Sequence, residues 1–358
     1  MIKILHLHTQ LDLTCGISKT IYLLLKNLGD EFNQTVFTFG GDAIKKFNTT
    51  DAKVIVANRL SKNFFYTLLI FLRLLSLIKK EKFDIIHSHH RYFDLIAFFV
   101  SKVTRVRTVT SVQSKVRGKK ILSYKADVLI ACSYSIKRHL VDYFGVNEGR
   151  IKVIYNFIDL NEFKEFRDRA ELKMNLRIDL DNFVIGYFGR INIAEKGVDI
   201  LLDTFRNLSK NQTKLTLLMV GDGDNLDFVE KFIYTNKLNI LLLPAQEGVY
   251  SYINMVDVVV MPSRVEPFGI VAIESGILKK PVVSSGIEGL SEIIEVGVSG
   301  LTFDILKPNT LADMLESLIN NPSLRQELGN NLFNRVMNNF TLMQSIPRYR
   351  KIYCKNLS

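Results

Sequence analysis

MPSRVEPFGIVAIESGI, running from Met261 to Ile277, follows the apolar run VDVVVM, Val256 to Met261. A short branched apolar run bounded in this way reads as a buried strand. The chain then turns into a loop through Glu266 and Pro267, and from about Phe268 it reads as a helix. Pro267 suits the first turn, where its missing N–H costs nothing. Gly269 allows a ligand to approach the backbone. Free N–H groups and the positive end of the dipole make such a helix start an anion site, and phosphate is its usual occupant. Two carboxylates bracket that site, Glu266 in the loop and Glu274 about two turns up the helix.

In spacing and residue type, E-P-F-G-I-V-A-I-E (Glu266 to Glu274) resembles the Glu-x7-Glu signature of retaining, nucleotide-sugar-dependent glycosyltransferases of family 4, which have the GT-B fold. The resemblance implies that Glu266 approaches the donor sugar and Glu274 the ribose hydroxyls, while the backbone of Phe268, Gly269, Ile270 and Val271 holds the diphosphate. Gly189-Arg190 and Glu195-Lys196-Gly197 resemble the family's strand-end G-R and following K-G, so Arg190 and Lys196 are expected to grip the diphosphate. Departure of a nucleoside diphosphate leaves negative charge that fixed cations stabilise. Glu266, Arg190 and Lys196 are therefore the catalytic candidates. Gly16, Gly189 and Gly221 join the donor-binding set.

Around this stretch the chain reads as two strand–helix series. In the first half, strands are expected at Ile2–His8, Thr35–Phe39, Lys53–Ala57, Phe83–His90, Arg107–Val112 and Ala126–Ser133, and a helix at Gly16–Leu28. After Arg150–Asp159 comes a polar connector, Leu160–Asp181. A second series follows with strands at Asn182–Arg190, Thr216–Gly221, Leu238–Ala245, Val256–Met261 and Pro281–Ser285, and then a helical tail. Alternation of this kind predicts α/β architecture: two Rossmann-like, doubly wound parallel-sheet domains facing a central cleft. The expected domains are 1–165 for the acceptor and 166–340 for the nucleotide-sugar. Residues 341–358 are expected to form a helix crossing back to the first domain, as the resemblance implies. The very apolar run Asn63–Ile78 is too short to span a bilayer, which needs about 20 residues. It reads as a buried helix, with an interfacial helix as the alternative, Arg73, Lys79, Lys80 and Lys82 then reaching lipid headgroups.

Other groups are less specific. Asp222-x-Asp224 and Asp179-x-Asp181 could hold a divalent cation. The strand-end V-G-x-G of Gly221 and Gly223, however, is similar to the family's turn toward the nucleotide. Gly16 lies in a turn after the first strand where the family usually has two glycines; here Cys15 precedes it. His87, His89 and His90 end a strand, and alternation sends His87 and His89 to one face and His90 to the other. Acceptor-side or structural roles are expected of them rather than metal binding. Gln113 stands where the family usually has a His, and an amide cannot exchange a proton at neutral pH. Lys115, Arg117, Lys119 and Lys120 follow as a basic loop suited to an anionic acceptor or headgroup. The acceptor-side candidates are His89, Gln113, Lys115 and Arg117.

Composition sets the frame. The 358 residues carry a formal charge of +11, unevenly placed: residues 1–165 hold 26 Lys and Arg against 14 Asp and Glu, and the remainder 21 against 22. A one-sided basic half points to an anionic partner. The three cysteines are far apart, which argues for a reducing compartment without a disulfide framework. The chain starts directly on a strand, so no secretory leader is expected. The combined expectation is a cytoplasmic glycosyltransferase that needs no metal or other cofactor. Its partners are a nucleotide-diphosphate sugar, a polysaccharide or lipid-linked glycan acceptor, and an anionic inner membrane face. A non-catalytic nucleotide-binding subunit and a same-fold epimerase are the rivals. No basic stripe interleaved with aromatics points to nucleic acid.

Overall fold

Val, Ile and Leu in short runs favour strands that are covered on both faces, since branched side chains suit a pleated surface. In the computed structural model, which describes residues 1–57 and 64–355, such runs form two all-parallel sheets. The first contains β1 (Ile2–Leu7), β2 (Phe32–Thr38), β3 (Lys53–Val56), β4 (Ile85–Ser88), β5 (Arg107–Val112), β6 (Val128–Ala131) and β7 (Ile151–Val153), in the order β3-β2-β1-β4-β5-β6-β7. The second contains β8 (Phe183–Phe188), β9 (Leu215–Val220), β10 (Ile240–Leu243), β11 (Val258–Met261), β12 (Val282–Ser285) and β13 (Leu301–Phe303), in the order β10-β9-β8-β11-β12-β13. Each sheet reverses its strand order once, between β1 and β4 and between β8 and β11. Crossovers leave such a point in opposite directions, and a crevice opens beyond the carboxyl ends of the strands.

Two compact units result, Met1–Asn156 with the segment from Leu342, and Phe157–Thr341. The boundary expected after residue 165 falls instead after Asn156. Phe157 and Ile158 are buried in the second unit, where Ile158 bridges to Thr341 and Phe163 packs on Tyr250 with ring centroids 4.2 Å apart. The connector is not featureless either, since it contains a helix over Arg169–Asn175.

The first unit is covered by α1 (Gly16–Asn27), α2 (Ile44–Phe47), α3 (Phe64–Glu81), α4 (Arg91–Thr104), α5 (Tyr134–Asp142) and α15 (Leu342–Cys354). Alternation along β2 divides the core: Phe37 faces α3 and α4, and Val36 faces α1 and α2. The expectation of a buried helix at 63–78, whose first residue lies outside the described residues, holds for one face of α3 only. Tyr66, Ile70, Leu74 and Ile78 pack on the sheet, while Phe65, Leu68, Leu69 and Leu72 are exposed. α15 fixes itself to β4 and β5: Tyr353 bonds His87 at 2.7 Å, and Arg107 donates to the carbonyls of Ile352 and Lys355, each at 2.7 Å.

The second unit is covered by α6 (Arg169–Asn175), α7 (Ile193–Lys196), α8 (Val198–Leu208), α9 (Leu226–Asn236), α10 (Tyr250–Met255), α11 (Ile270–Ile277), α12 (Glu288–Ser291), α13 (Thr310–Asn320) and α14 (Pro322–Asn339). Leu201, Phe205, Leu217, Met219, Val258 and Leu315 form its main core beneath β8 and β9. That core leaves the carboxyl ends of β8 and β11 to polar residues.

Candidate functional site

The reversal between β8 and β11 brings together the two loops that the sequence marks. Gly189 and Arg190 leave β8; Ser263, Arg264 and Glu266 leave β11. α7, four residues long, carries Lys196 between them. Lys196 Nζ donates to Glu266 Oε2 at 2.6 Å, and Ser263 Oγ donates to the same oxygen at 3.4 Å. Only 19% of the Lys196 side chain and 11% of the Glu266 side chain remain exposed, so the pair is far less screened than a surface contact. Arg190 is ion-paired with Glu195. Both cations expected at a diphosphate therefore rest on carboxylates of the site itself.

A residue that the sequence analysis missed holds these loops in place. Arg264 grips both carboxylate oxygens of Asp199 at 2.7 Å and donates to the Ile193 carbonyl at 2.6 Å. Its own N–H and that of Val265 donate to the Glu195 carbonyl at 2.7 and 2.9 Å. The bidentate fork and the backbone pair lock the turn bearing Lys196 to the loop bearing Glu266. Tyr187, at the end of β8, donates its hydroxyl to the Arg190 carbonyl, and burial together with the nearby Glu266 charge raises its pKa. The phenol therefore stays protonated and continues to donate.

The helix after β11 starts later than expected. Gly269 is its N-cap, with φ +112° and ψ 64°, a conformation that L side chains rarely adopt. α11 therefore begins at Ile270. Pro267 lies in the loop rather than in the first turn, and Glu274 stands little more than one turn in, not two. The Phe268 ring is buried against Phe340, with centroids 5.6 Å apart. Glu274 is 5% exposed. At the end of β9, the Gly221 N–H is taken by the Leu243 carbonyl at 3.0 Å. Gly221 serves by closeness, because a Cβ there would sit 1.9 Å from the Gly189 carbonyl oxygen. Beside Gly221 and Asp222 opens a cavity of about 520 Å³, lined also by Leu242, Leu243 and Pro244. Asp222 spends a carboxylate oxygen on the Gly223 N–H at 2.7 Å, and Asp181 pairs with Lys214 at the surface.

The acceptor-side candidates lie in the other unit, as does Gly16, the first residue of α1. His87 and His89 do share a face, their rings 4.0 Å apart, while His90 caps α4 by accepting from the Tyr92 N–H. His6, which was not foreseen, completes the group from β1: its Nδ1 lies 3.1 Å from His89 Nε2 and its Nε2 3.2 Å from Gln34. The signal was present, since IKILHLH carries the same His-x-His pattern and the sheet pairs His6 with His87. Burial lowers the pKa of His6 and of His8 to about 4 and holds His87 and His89 well below the usual value, so all four are neutral at pH 7. The His6, His87 and His89 nitrogens lie within 4.8 Å of one another, a spacing open to a metal, yet the hydrogen bonds of His6 and His87 already engage both nitrogens of each ring. Gln113 Nε2 is buried without a hydrogen-bond partner. Lys115 and Arg117 are exposed in a loop that Tyr143 holds, its hydroxyl accepting from the Gly118 N–H at 2.9 Å and its ring lying under Lys120.

Two doubly wound units, with glycines, cations and a carboxylate at the switch point of the second, define an α/β protein of two Rossmann-like sheets. Comparison with known families makes this specific. Residues 168–335 match the model for glycosyl transferases group 1, and residues 14–162 match that for glycosyltransferase family 4. The chain belongs to this family of GT-B glycosyltransferases. It is similar to the capsular polysaccharide biosynthesis glycosyltransferase CapM of Staphylococcus aureus, 29% identical over 322 residues, covering 84% of each chain. It is also similar to the D-inositol 3-phosphate glycosyltransferase of Thermobifida fusca, 29% identical over 61% of this chain and 52% of the other. Its fold matches that of Anabaena Alr3699/HepE crystallised with UDP and glucose, at a TM-score of 0.88 and 21% identity, over 99% of this chain and 100% of that one.

Proposed function

We propose that the chain is a retaining hexosyltransferase. It takes a sugar from a nucleoside-diphosphate donor, UDP- or GDP-linked, held by the second unit, and passes it to a growing polysaccharide or lipid-linked glycan held by the first. The observation that carries the reading is the largely buried Lys196–Glu266 pair at the second switch point. A diphosphate entering there offers Lys196 and Arg190 a stronger anion than their resting carboxylates. Glu266 is then released to orient sugar hydroxyls and to face the positive charge that develops on the ring carbon. The two cations hold the charge of the departing diphosphate, so the reaction needs no metal on this reading. Glu274 fixes the ribose, and the start of α11 lends its N–H groups to the phosphates. The acceptor assignment draws on the likeness to a capsular polysaccharide enzyme and on the basic loop at Lys115 and Arg117. The enzyme works in the cytoplasm, against the inner membrane face.

A thermal-shift panel of UDP, GDP, ADP and CMP on wild type and Glu274→Ala tests the donor site. A ligand at about 100 times its dissociation constant adds about 2.7 kcal/mol, a shift of a few degrees for a unit of this size. One diphosphate is expected to stabilise the wild type and not the variant. Absence of any shift would remove the reading. Gln113, with its unpartnered amide in place of a titratable ring, favours a second reading, a non-catalytic nucleotide-binding subunit. Sugar transfer by the purified chain alone, in the presence of EDTA, would eliminate it and support metal independence together.

A further inference from the structure

The outward faces of α3 and α4 carry an apolar surface that the transfer chemistry does not use. Phe65 is 74% exposed, Leu69 58%, and Leu68 and Leu72 are exposed beside them, at the spacing of one helical stripe. α4 packs next to α3 on the same face of the sheet and adds Phe99 and Val103, 50% and 56% exposed. The one charge inside the α3 run, Arg73, lies over the Phe37 ring at 5.6 Å, a side chain of the sheet beneath. Single exposed apolar side chains are ordinary; a contiguous set on neighbouring helices marks a contact surface.

Charge identifies the occupant. Lys79, Lys80 and Lys82 follow the stripe on α3, and Lys102 and Arg105 lie at the end of α4. Lys79, Lys82, Arg105 and Arg107 line a cavity of about 630 Å³ between the two helix ends, against one carboxylate, Asp84, which accepts from the Lys3 N–H at 2.8 Å. The acidic residues of these helices offset little of this. Asp94 is fully buried, and Glu81 is paired with Lys53 at 3.5 Å. A second copy of this chain would bring the same cations against these, which disfavours self-association through this face. Among the described residues no helix is long and apolar enough to cross a membrane, so the surface can lie on a bilayer but not span it.

We propose that this face docks onto a lipid bilayer bearing anionic headgroups. Phe65, Leu68, Leu69 and Leu72 enter the boundary between headgroups and acyl chains, and the cations at the helix ends meet the phosphates. The inference deepens the membrane part of the proposed function, but its test uses neither donor nor acceptor, so either can fail without the other.

The full chain would be floated with vesicles of phosphatidylcholine alone and of phosphatidylcholine mixed with phosphatidylglycerol. Wild type is expected to float with the mixed vesicles and to be released by high salt. Leu69→Glu with Leu72→Glu, and separately Lys79→Glu with Lys102→Glu, are each expected to weaken that binding about tenfold or more, since each basic residue contributes about fivefold. All four side chains are exposed, and thermal melts matching wild type would show that the variants fold. Absence of flotation would overturn the proposal. So would flotation that both variants retain, which would assign binding to another surface. Sedimentation showing a dimer that Leu69→Glu with Leu72→Glu dissociates, without vesicle binding, would assign the face to a second copy instead.

Discussion

At the reversal of the first sheet, β1 and β4 present His6, His87 and His89, neutral rings bonded to one another, to Gln34, to Ser111 and to Tyr353. At the reversal of the second, β8 and β11 give way to glycine, Arg190, Glu266 and the Lys196 that answers it. The two sheets share their winding, yet one crevice is lined by buried uncharged side chains, both nitrogens of His6 and His87 bonded and Nδ1 of His89 without a partner among the described residues, and the other holds charges paired with each other. A switch point supplies a place for a ligand; the residues at the strand ends decide whether the place is taken.

The largest expected effect separates the two directly. Lys196→Ala should lower transfer about 10²–10³-fold in initial-rate assays, the usual cost of removing one group that stabilises developing charge. His6→Gln should leave turnover within a few-fold. Comparable losses in both would erase the distinction between a working crevice and an uncharged one.

Acidification should act in the opposite sense. Unfolded imidazoles bind protons from about pH 6.5, whereas His6 and His8 in the fold do so only at about pH 4. Between those values the unfolded chain holds more protons, so the stability present above pH 6.5 is lost as the pH falls toward 4. Urea melts at pH 7 and pH 5 should show a lower midpoint at pH 5, and a smaller drop for His6→Gln. An equal drop in both would show that His6 carries none of it.

A smaller effect probes the clamp. Arg264→Lys keeps a charge but cannot grip Asp199 with two parallel bonds. Its expected cost is about tenfold in kcat/KM, carried mainly by KM as the Lys196 turn loosens. A loss confined to thermal stability would show that the clamp acts on the fold rather than on the site. The smallest change expected is at Gln113. Gln113→His should alter the rate less than about tenfold and add a limb near pH 6.5 to the pH–rate profile.

That Glu266, Lys196, Arg190 and Gly189 would come together was legible because the family-like motifs that contain them are short, local runs of sequence. The Arg264–Asp199 clamp was not, since its partners lie far apart in sequence and each looks like a solvated charge alone. The start of α11 was misplaced because Pro267 favours a helix start, while the left-handed backbone at Gly269 decides where the turn closes. His6 escaped notice because its neighbours come from β4, and only the strand order puts two His-x-His runs side by side. On α3 an almost uninterrupted apolar run hid its periodicity, so which side would meet the sheet could not be read.

The second unit begins at Phe157 and ends at Thr341, and the Ile158–Thr341 bridge, with the Ile158 N–H on the Phe340 carbonyl at 3.1 Å, brings those ends together. A block of chain whose entry and exit are stitched to each other is a cassette: it can be lifted out and leave its host a gap that a short linker would close. Recombination between relatives at these two positions is expected to exchange one half of the molecule while keeping the other.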